Sequence, residues 1–580
     1  MSEAGLRHTR KLTIIAQDPA VRDANGQILT AEVEVPVEDL EPGPRGYRVH
    51  VVDFDASTNT LYRPLELGTA RDPYRVPSFE GIATPQDYEE YNQRLLGEPA
   101  FHAQNVYAIV MRTLSRFEFA LGRRVRWSFD GHQLMVAPHA FADANAFYSK
   151  DQRALMFGYF RGKQNHLIFS CLAHDVIAHE TSHALLDGLR QHYTDPSSPE
   201  QAGFHEGFAD IVALLSIFSL RSLVDSVLDF DDGSGVLSGK MADRNLIHKD
   251  FCTVDNLRKS ALLGLAKEMG TELSGIRGRS LRRSVLLTPD PKRINDPTHP
   301  EYEEYEEPHK RGEILVASVL NAFLYIWVER LSGLGQTTDG GYHRDRVIEE
   351  GCLIADYLLT MCIRAIDYSP PTDLQFCDFL SAVLTADHEL HPDDSRYNFR
   401  RNLRERFRAY GIEPTSKTES GAWEPPGVTL DYDRSHFESM QKDPDEIFQF
   451  LWLNRQALGL HENAYTRVIS VRPCLRVGPD GFALRETVAE YIQMIDLRAR
   501  ELEELNIEKP DGMSDDQSLR LFGGGVMIFD EYCRLKYHVR NKIGNAERQT
   551  HRLRFLWRYG YFNQPTDQKS FASMHRMRFA

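Results

Sequence analysis

Cysteine is scarce in this chain: seven among 580 residues (Cys171, Cys252, Cys352, Cys362, Cys377, Cys474 and Cys533), with no CxxC pair. An odd, scattered set of thiols excludes a disulfide framework and argues against a thiolate zinc site, and it points to a reducing, cytoplasmic setting. Any metal is therefore expected on histidine and carboxylate. Long apolar runs are missing too. The best stretch, 314–328, falls short of the ~20 residues that cross a bilayer, so no membrane partner is expected. The first residues, MSEAGLRHTRKLTIIAQD, turn polar too early for a signal peptide. Positive charge is in deficit, with 68 Lys and Arg against 84 Asp and Glu and a net charge of −16. That balance argues against nucleic acid, whose phosphates need a basic face. Gly523-Gly524-Gly525 is not followed by GK[ST], which excludes a phosphate loop there. No internal repeat is present.

What remains is the composition of a soluble globular protein, 42% hydrophobic and 26% charged, long enough for about three to five domains. Residues 1–75 read as a β-rich segment with strands at LTIIAQ, ILTAEVEV and YRVHVVDFD, broken by turns at Asn25-Gly26 and Pro42-Gly43. Residues 71–100 read as a looser connector. From His102 the apolar positions Val106, Ile109, Val110, Leu114 and Phe117 recur at helical spacing, and VRWSFDG and HQLMVAP then read as strands. Helices are predicted over 172–190, 203–222, 255–270, 313–332, 346–367, 373–386 and 396–410. The Gly-Ile-Glu-Pro at 411–414 closes the last of these and marks a domain boundary. Residues 415–580 then mix a helix near 444–458 with strands, an α+β module of its own. The fold class is α+β.

The decisive segment is HDVIAHETSHALLDGL, residues 174–189. His179 and His183 lie four apart, so on a helix they share a face one turn apart, as two ligands of one tetrahedral ion require. Glu180 beside the first histidine can reach a water on that ion without ligating it, the position of a general base. The bland alternative is two solvated histidines on a surface helix. Val176, Ile177, Ala178, Ala184, Leu185 and Leu186 around them speak for burial instead. A second apolar helix, AGFHEGFADIVALLSIF at 202–218, offers Glu206 and Asp210 four apart. One carboxylate can complete the protein ligands and the other can accept the N–H of a ligating histidine. Glu206 is favoured over His205 as ligand because Asp210 then lies one turn along its face. The metzincin form fails, since the position six after His183 is Leu189, and no GxMEN of gluzincin aminopeptidases occurs.

HExxH followed by ExxxD resembles the gluzincin metallopeptidases, and its surroundings resemble the thermolysin family. That family reads roughly DVVAHELTHAVTD, and this chain has DVIAHETSHALLD at 175–187. NAFYSKDQRALMFG at 145–158 is similar to the family's substrate-binding edge strand, and the likeness runs over about 100–412. The resemblance implies a two-lobed zincin catalytic domain over 76–414, with a β-containing first lobe and a helical second lobe. It implies one catalytic Zn2+ on His179, His183 and Glu206, Glu180 as base, and Asp210 behind a histidine. Asn145 and the backbone of Ala146 would pair with an extended peptide. Tyr193 and His309 would hold the oxyanion, with Glu304 orienting His309 unless Glu306 or Glu307 does so. Arg282 or Arg283 would reach the substrate carbonyl.

The chain departs from that pattern in places. His205 stands where the family usually has Asn. Asp175 matches a calcium-site carboxylate, but its partner glutamate is replaced by Ile217, which leaves Ca2+ doubtful. The expected function is a cytoplasmic zinc endopeptidase acting on polypeptide, with a possible regulatory partner engaging residues 415–580. Competing readings are a zinc-binding scaffold without catalysis and a zinc hydrolase of a non-peptide amide. The acidic run 301–307 reads as a solvated loop, or as a rim that favours basic peptides.

Overall fold

The computed structural model describes residues 9–562 apart from 24, 68–71, 77–83, 163–164, 196, 229–244, 267–282, 338–339 and 479–480. Alternating apolar residues make β1 (Thr9–Ile15) and β2 (Thr30–Pro36) an antiparallel hairpin with Leu12, Ile14, Val33 and Val35 buried. Asn105 fastens it to the interior, accepting the Ile15 N–H at 3.0 Å and donating to the Cys171 carbonyl at 3.0 Å. Strand β3 (Val49–Val51) leaves this segment to pair in parallel with β6 (Leu134–Phe141). The short strands β4 (Phe54–Asp55) and β5 (Thr60–Leu61) lie between them in sequence. With β7 (Ala146–Ser149), β8 (Ala154–Arg161) and β9 (Leu167–Phe169), strands β3 and β6 form a five-stranded sheet of order β3-β6-β8-β7, with β9 also on β8, while β4 and β5 pair only with each other. β7 is the outer strand of that path.

Two local readings are corrected. Part of the connector 71–100 is a helix, α1 (Pro85–Gly97), started by a capping box between Thr84 and Asp87 with Pro85 at its first position. Its sparse apolar residues, Tyr91 and Leu95, hid it from a periodicity argument. The segment 125–131 is no strand. Its Val125 carbonyl is taken by the Arg48 guanidinium, which also lies 5.2 Å over the Trp127 ring.

The helices follow as α2 (Pro99–Leu121), α3 (His174–Leu189), α4 (Pro199–Phe218), α5 (Arg221–Leu228), α6 (Val254–Ala266), α7 (Pro308–Ser332), α8 (Arg344–Ala365), α9 (Phe376–Leu390) and α10 (Phe399–Ala409), with the short antiparallel pair β10 (Leu246–His248) and β11 (Gly341–His343) set among them. α3 packs on α2, α4 and β7, and α4 packs on α7 and α8. α7 is long and apolar enough to cross a membrane by length and composition alone. Here it is the central helix of the helical layer, its apolar residues buried against α4, α6, α8 and α10.

Beyond α10 come α11 (Phe437–Met440) and α12 (Pro444–Leu453). An antiparallel meander follows: β12 (Tyr465–Val477), β13 (Ala483–Arg498), β14 (Ser518–Phe529) and β15 (Leu535–Asn541), then α13 (Ala546–Arg558). One face of this sheet (Val488, Val526, Ile528, Tyr537 and Val539) joins the same apolar core as the helices. Buried charges fasten the junction as well. Asp367 accepts from Arg123 (2.5 and 2.7 Å) and Arg476 (2.5 Å), and Arg190, just past α3, pairs with Glu490 at 2.7 Å. The architecture is α+β with several sheets.

Candidate metal centre

Every residue of α3 is buried, so His179 and His183 stand inside the molecule. The rings of His179 and His183 meet edge-on with centroids 4.5 Å apart, and their Nε2 atoms face each other at 2.9 Å. α4 begins at a Ser198 cap that accepts the Gln201 N–H at 3.1 Å, and it carries Glu206 to the same point. Glu206 Oε2 lies 3.6 Å from His179 Nε2, and Oε1 lies 3.6 Å from His183 Nε2. Around a tetrahedral zinc with bonds of ~2.0–2.1 Å, donor atoms sit about 3.3 Å apart. The observed 2.9 and 3.6 Å straddle that value, so this donor set fits the ion. Asp210 accepts the Nδ1–H of His179 at 2.7 Å, which fixes the tautomer that turns Nε2 toward the cluster. His205 has a different place from its neighbour Glu206. Its ring stacks on His183 at 4.6 Å and 10°, and its Nε2 bonds Asp187 at 3.0 Å, so it walls the ligand histidine.

Glu180 is fully buried and its Oε2 accepts the backbone N–H of Tyr148 at 2.8 Å. In an antiparallel pair, successive residues turn their N–H and C=O to opposite sides, so the backbone groups of Ala146 and Tyr148 face away from β8. The outer edge of β7 therefore runs past the Glu180 carboxylate. Asn145 stands at its start, its Oδ1 accepting the Ala146 N–H at 2.8 Å. Gly158 permits this turn. A Cβ there would stand 2.2 Å from the Asp143 carbonyl oxygen, and Gly158 N–H donates to the Asn145 carbonyl at 2.8 Å.

His309 arrives on the first turn of α7. Pro308 begins the helix, and Glu307 caps it by accepting the Lys310 N–H at 3.0 Å through Oε2. The other oxygen of Glu307 accepts His309 Nδ1–H at 2.9 Å, and His309 Nε2 lies 3.8 Å from Glu206 Oε2. The orienting acid is thus Glu307; Glu304 pairs with Lys310 instead. The run 301–307 is paired rather than merely solvated. Glu301 holds Arg293 at 2.7 Å, while Glu303 and Glu306 hold Arg558 of α13 at 3.3 and 2.6 Å. Glycines let α7 come this close to α4. A Cβ on Gly207 would meet the Gly312 carbonyl oxygen at 2.8 Å, and one on Gly312 would meet that of Gly203 at 2.8 Å.

Other expected residues are engaged elsewhere. Tyr193 is buried against Phe204 and its hydroxyl donates to the Pro370 carbonyl at 2.7 Å, a structural bond that commits it away from an oxyanion. Arg283 Nε donates to Glu313 of α7 at 2.7 Å, and Arg282 lies outside the described residues. Asp175 is buried in the first turn of α3, and burial together with Asp18 pushes its carboxyl up to about 7. Ile217 is wholly buried, so α4 offers no carboxylate at that position. Two features escaped sequence reasoning, the Tyr148 amide and the Gly203-Gly207-Gly312 seam, which carry no local signature, whereas Glu307 was among the acids the sequence offered and the helix start at Pro308 singles it out.

A scan against protein-family models finds no match for this chain, and a search of curated proteins finds none either.

Proposed function

We propose that the chain is a cytoplasmic zinc-dependent endopeptidase with a thermolysin-like, two-lobed catalytic part. The sheet β3-β6-β8-β7 would belong to the first lobe, and α4 and α7–α10 to the second. One observation carries the reading. Glu180, next to the donor His179, is hydrogen-bonded to the outer edge of β7, which brings a base and a peptide-pairing strand together beside a buried His-His-Glu cluster. His179, His183 and Glu206 would hold the ion, which when bound supplies a Lewis acid and lowers the pKa of water.

The rest is done by the chain. A polypeptide in extended form adds to the edge of β7 beside Asn145, pairing with the Ala146 carbonyl. Glu180 takes the proton of the attacking water and returns it to the leaving amine. With Nδ1–H held by Glu307, the His309 imidazolium turns Nε2–H to the oxygen that gains charge. Residues 415–580 are the surface for a regulatory partner, and the Arg558 grip on Glu303 and Glu306 supports this by tying that part to the His309 turn.

The test is Glu180→Gln in the full-length protein. It should keep its zinc and lose peptide cleavage by about 10²–10⁴-fold. Cleavage near the wild-type rate would remove Glu180 as base. A wild-type protein that holds zinc but cleaves no peptide would favour the scaffold or the non-peptide hydrolase.

A further inference from the structure

A second group of ligand-type side chains lies apart from the first. His102 on α2, His139 on β6 and Cys171, in the turn before α3, are 1%, 2% and 0% exposed. Their nitrogen and sulfur atoms all lie within 4.8 Å of one another. Each imidazole has one nitrogen spent on an outer partner. His102 Nε2–H donates to the Leu96 carbonyl at 3.0 Å, and His139 Nδ1–H donates to Asp53 at 2.8 and 3.0 Å. The two remaining nitrogens, His102 Nδ1 and His139 Nε2, face each other at 2.7 Å. A proton fits on the line between them, whereas an ion with bonds of ~2.0–2.1 Å would sit beside that line, with the rings opening toward the ~3.3 Å of a tetrahedral pair.

The arrangement repeats the logic of the first centre. There too, two imidazole nitrogens face each other at hydrogen-bond distance, a carboxylate holds the far nitrogen of one ring, and a third donor stands beside them. A hydrogen bond between the two rings needs no thiol beside it, and Cys171, a residue of the apolar core, adds a third ligand-type atom to the pair. Two neutral imidazoles with a thiolate are a donor set for a thiophilic ion. The charges balance as well: a divalent cation offsets one thiolate and the neighbouring Asp53 carboxylate.

We propose that His102, His139 and Cys171 form a second metal site, structural in role, for a thiophilic divalent cation of the zinc class. The ion would staple α2, the sheet strand β6 and the turn that launches α3, segments far apart in sequence, while Asp53 orients His139. Deprotonated Cys171 binds, and its proton and the one between the imidazoles pass to solvent. This site does not depend on the peptidase reading.

Cobalt-loaded full-length protein tests the proposal. A thiolate-to-cobalt charge-transfer band is expected, which a His-His-Glu centre cannot produce, along with about two ions per chain by mass spectrometry. Cys171→Ser should abolish the band, and Glu206→Gln should preserve it while lowering the ion count. Absence of the band with no more than one ion per wild-type chain would show a proton-bridged histidine pair and overturn the site. A band that survives Cys171→Ser would overturn it equally. Both readouts on the wild-type protein stand even if a variant fails to fold.

Discussion

The backbone N–H of Tyr148 donates to Glu180 Oε2 at 2.8 Å, so one carboxylate oxygen of the proposed base is anchored to the strand that would align the substrate. Base and substrate backbone then share one frame, and a shift of β7 moves both together. Placement of that kind lowers the entropy barrier of reaction without adding new contacts.

Pairing on this edge predicts a period-two response to backbone methylation. A peptide series N-methylated one residue at a time should lose activity at the amide that meets the Ala146 carbonyl, with its immediate neighbours spared. One hydrogen bond of about 0.5–1.5 kcal/mol corresponds to a loss of roughly 2–13-fold in kcat/KM. A flat response along the peptide would exclude strand addition.

Glu307 rather than Glu304 should matter for the reaction. Glu307→Gln keeps a helix-capping oxygen but weakens the hold on the His309 ring, and kcat should fall about tenfold or more with KM little changed. Glu304→Gln, which removes only the exposed pair with Lys310, should stay within about twofold of wild type. Steady-state kinetics on both variants decide between the two acids, and equal effects would remove the assignment.

The contrast between these acids shows what a sequence carries. His179, Glu180, His183, Glu206 and Asp210 converge because helical spacing alone sets their faces, so their grouping was legible from one turn of each helix. Three glutamates two to five residues before His309 offered no such ruler, and only the start of α7 at Pro308 selects Glu307. Tyr193 sits at a suggestive distance from His183 in sequence, yet the hydroxyl went to a carbonyl contributed by residue 370. The helices α3, α4 and α7 to α9 were readable because they are long and rich in apolar residues. α1 was not, because tertiary bonds such as Asn92 to the Ile28 N–H (2.8 Å) hold it in place of an apolar stripe. The second histidine cluster draws on residues 102, 139 and 171, separations at which spacing carries no information.

Close approach of α4 and α7 makes a further prediction with an unusual sign. Replacing a helical glycine by alanine ordinarily stabilises by about 1 kcal/mol. At Gly207 the added methyl would meet the Gly312 carbonyl oxygen at 2.8 Å and its Cα at 3.1 Å, backbone atoms that yield only if the helices part. Gly207→Ala should therefore destabilise by about 1–3 kcal/mol, and peptide cleavage should fall as His309 moves off Glu206. Chemical denaturation measures the first effect, and unchanged or raised stability would show that the seam is not tight.

Acid should loosen the junction between the helical layer and the C-terminal sheet, and Asp367 is where the effect should be read. Burial by itself would raise its carboxyl, but the guanidiniums of Arg123 and Arg476 outweigh burial and hold it well below the usual carboxylate range. A depressed folded-state value means the stabilisation is fully present above the unfolded pKa of about 3.9 and drains away as pH falls below it. Asp367→Asn leaves two buried cations with a poorer partner and should cost about 3–5 kcal/mol at pH 7. The gap between wild type and variant should then narrow at pH 3, where the wild-type carboxyl begins to lose its advantage. Denaturant midpoints at pH 7, 5 and 3 follow both proteins. The same gap at all three values would mean that Asp367 contributes through shape alone, and the acid sensitivity of the junction would have to come from another carboxylate.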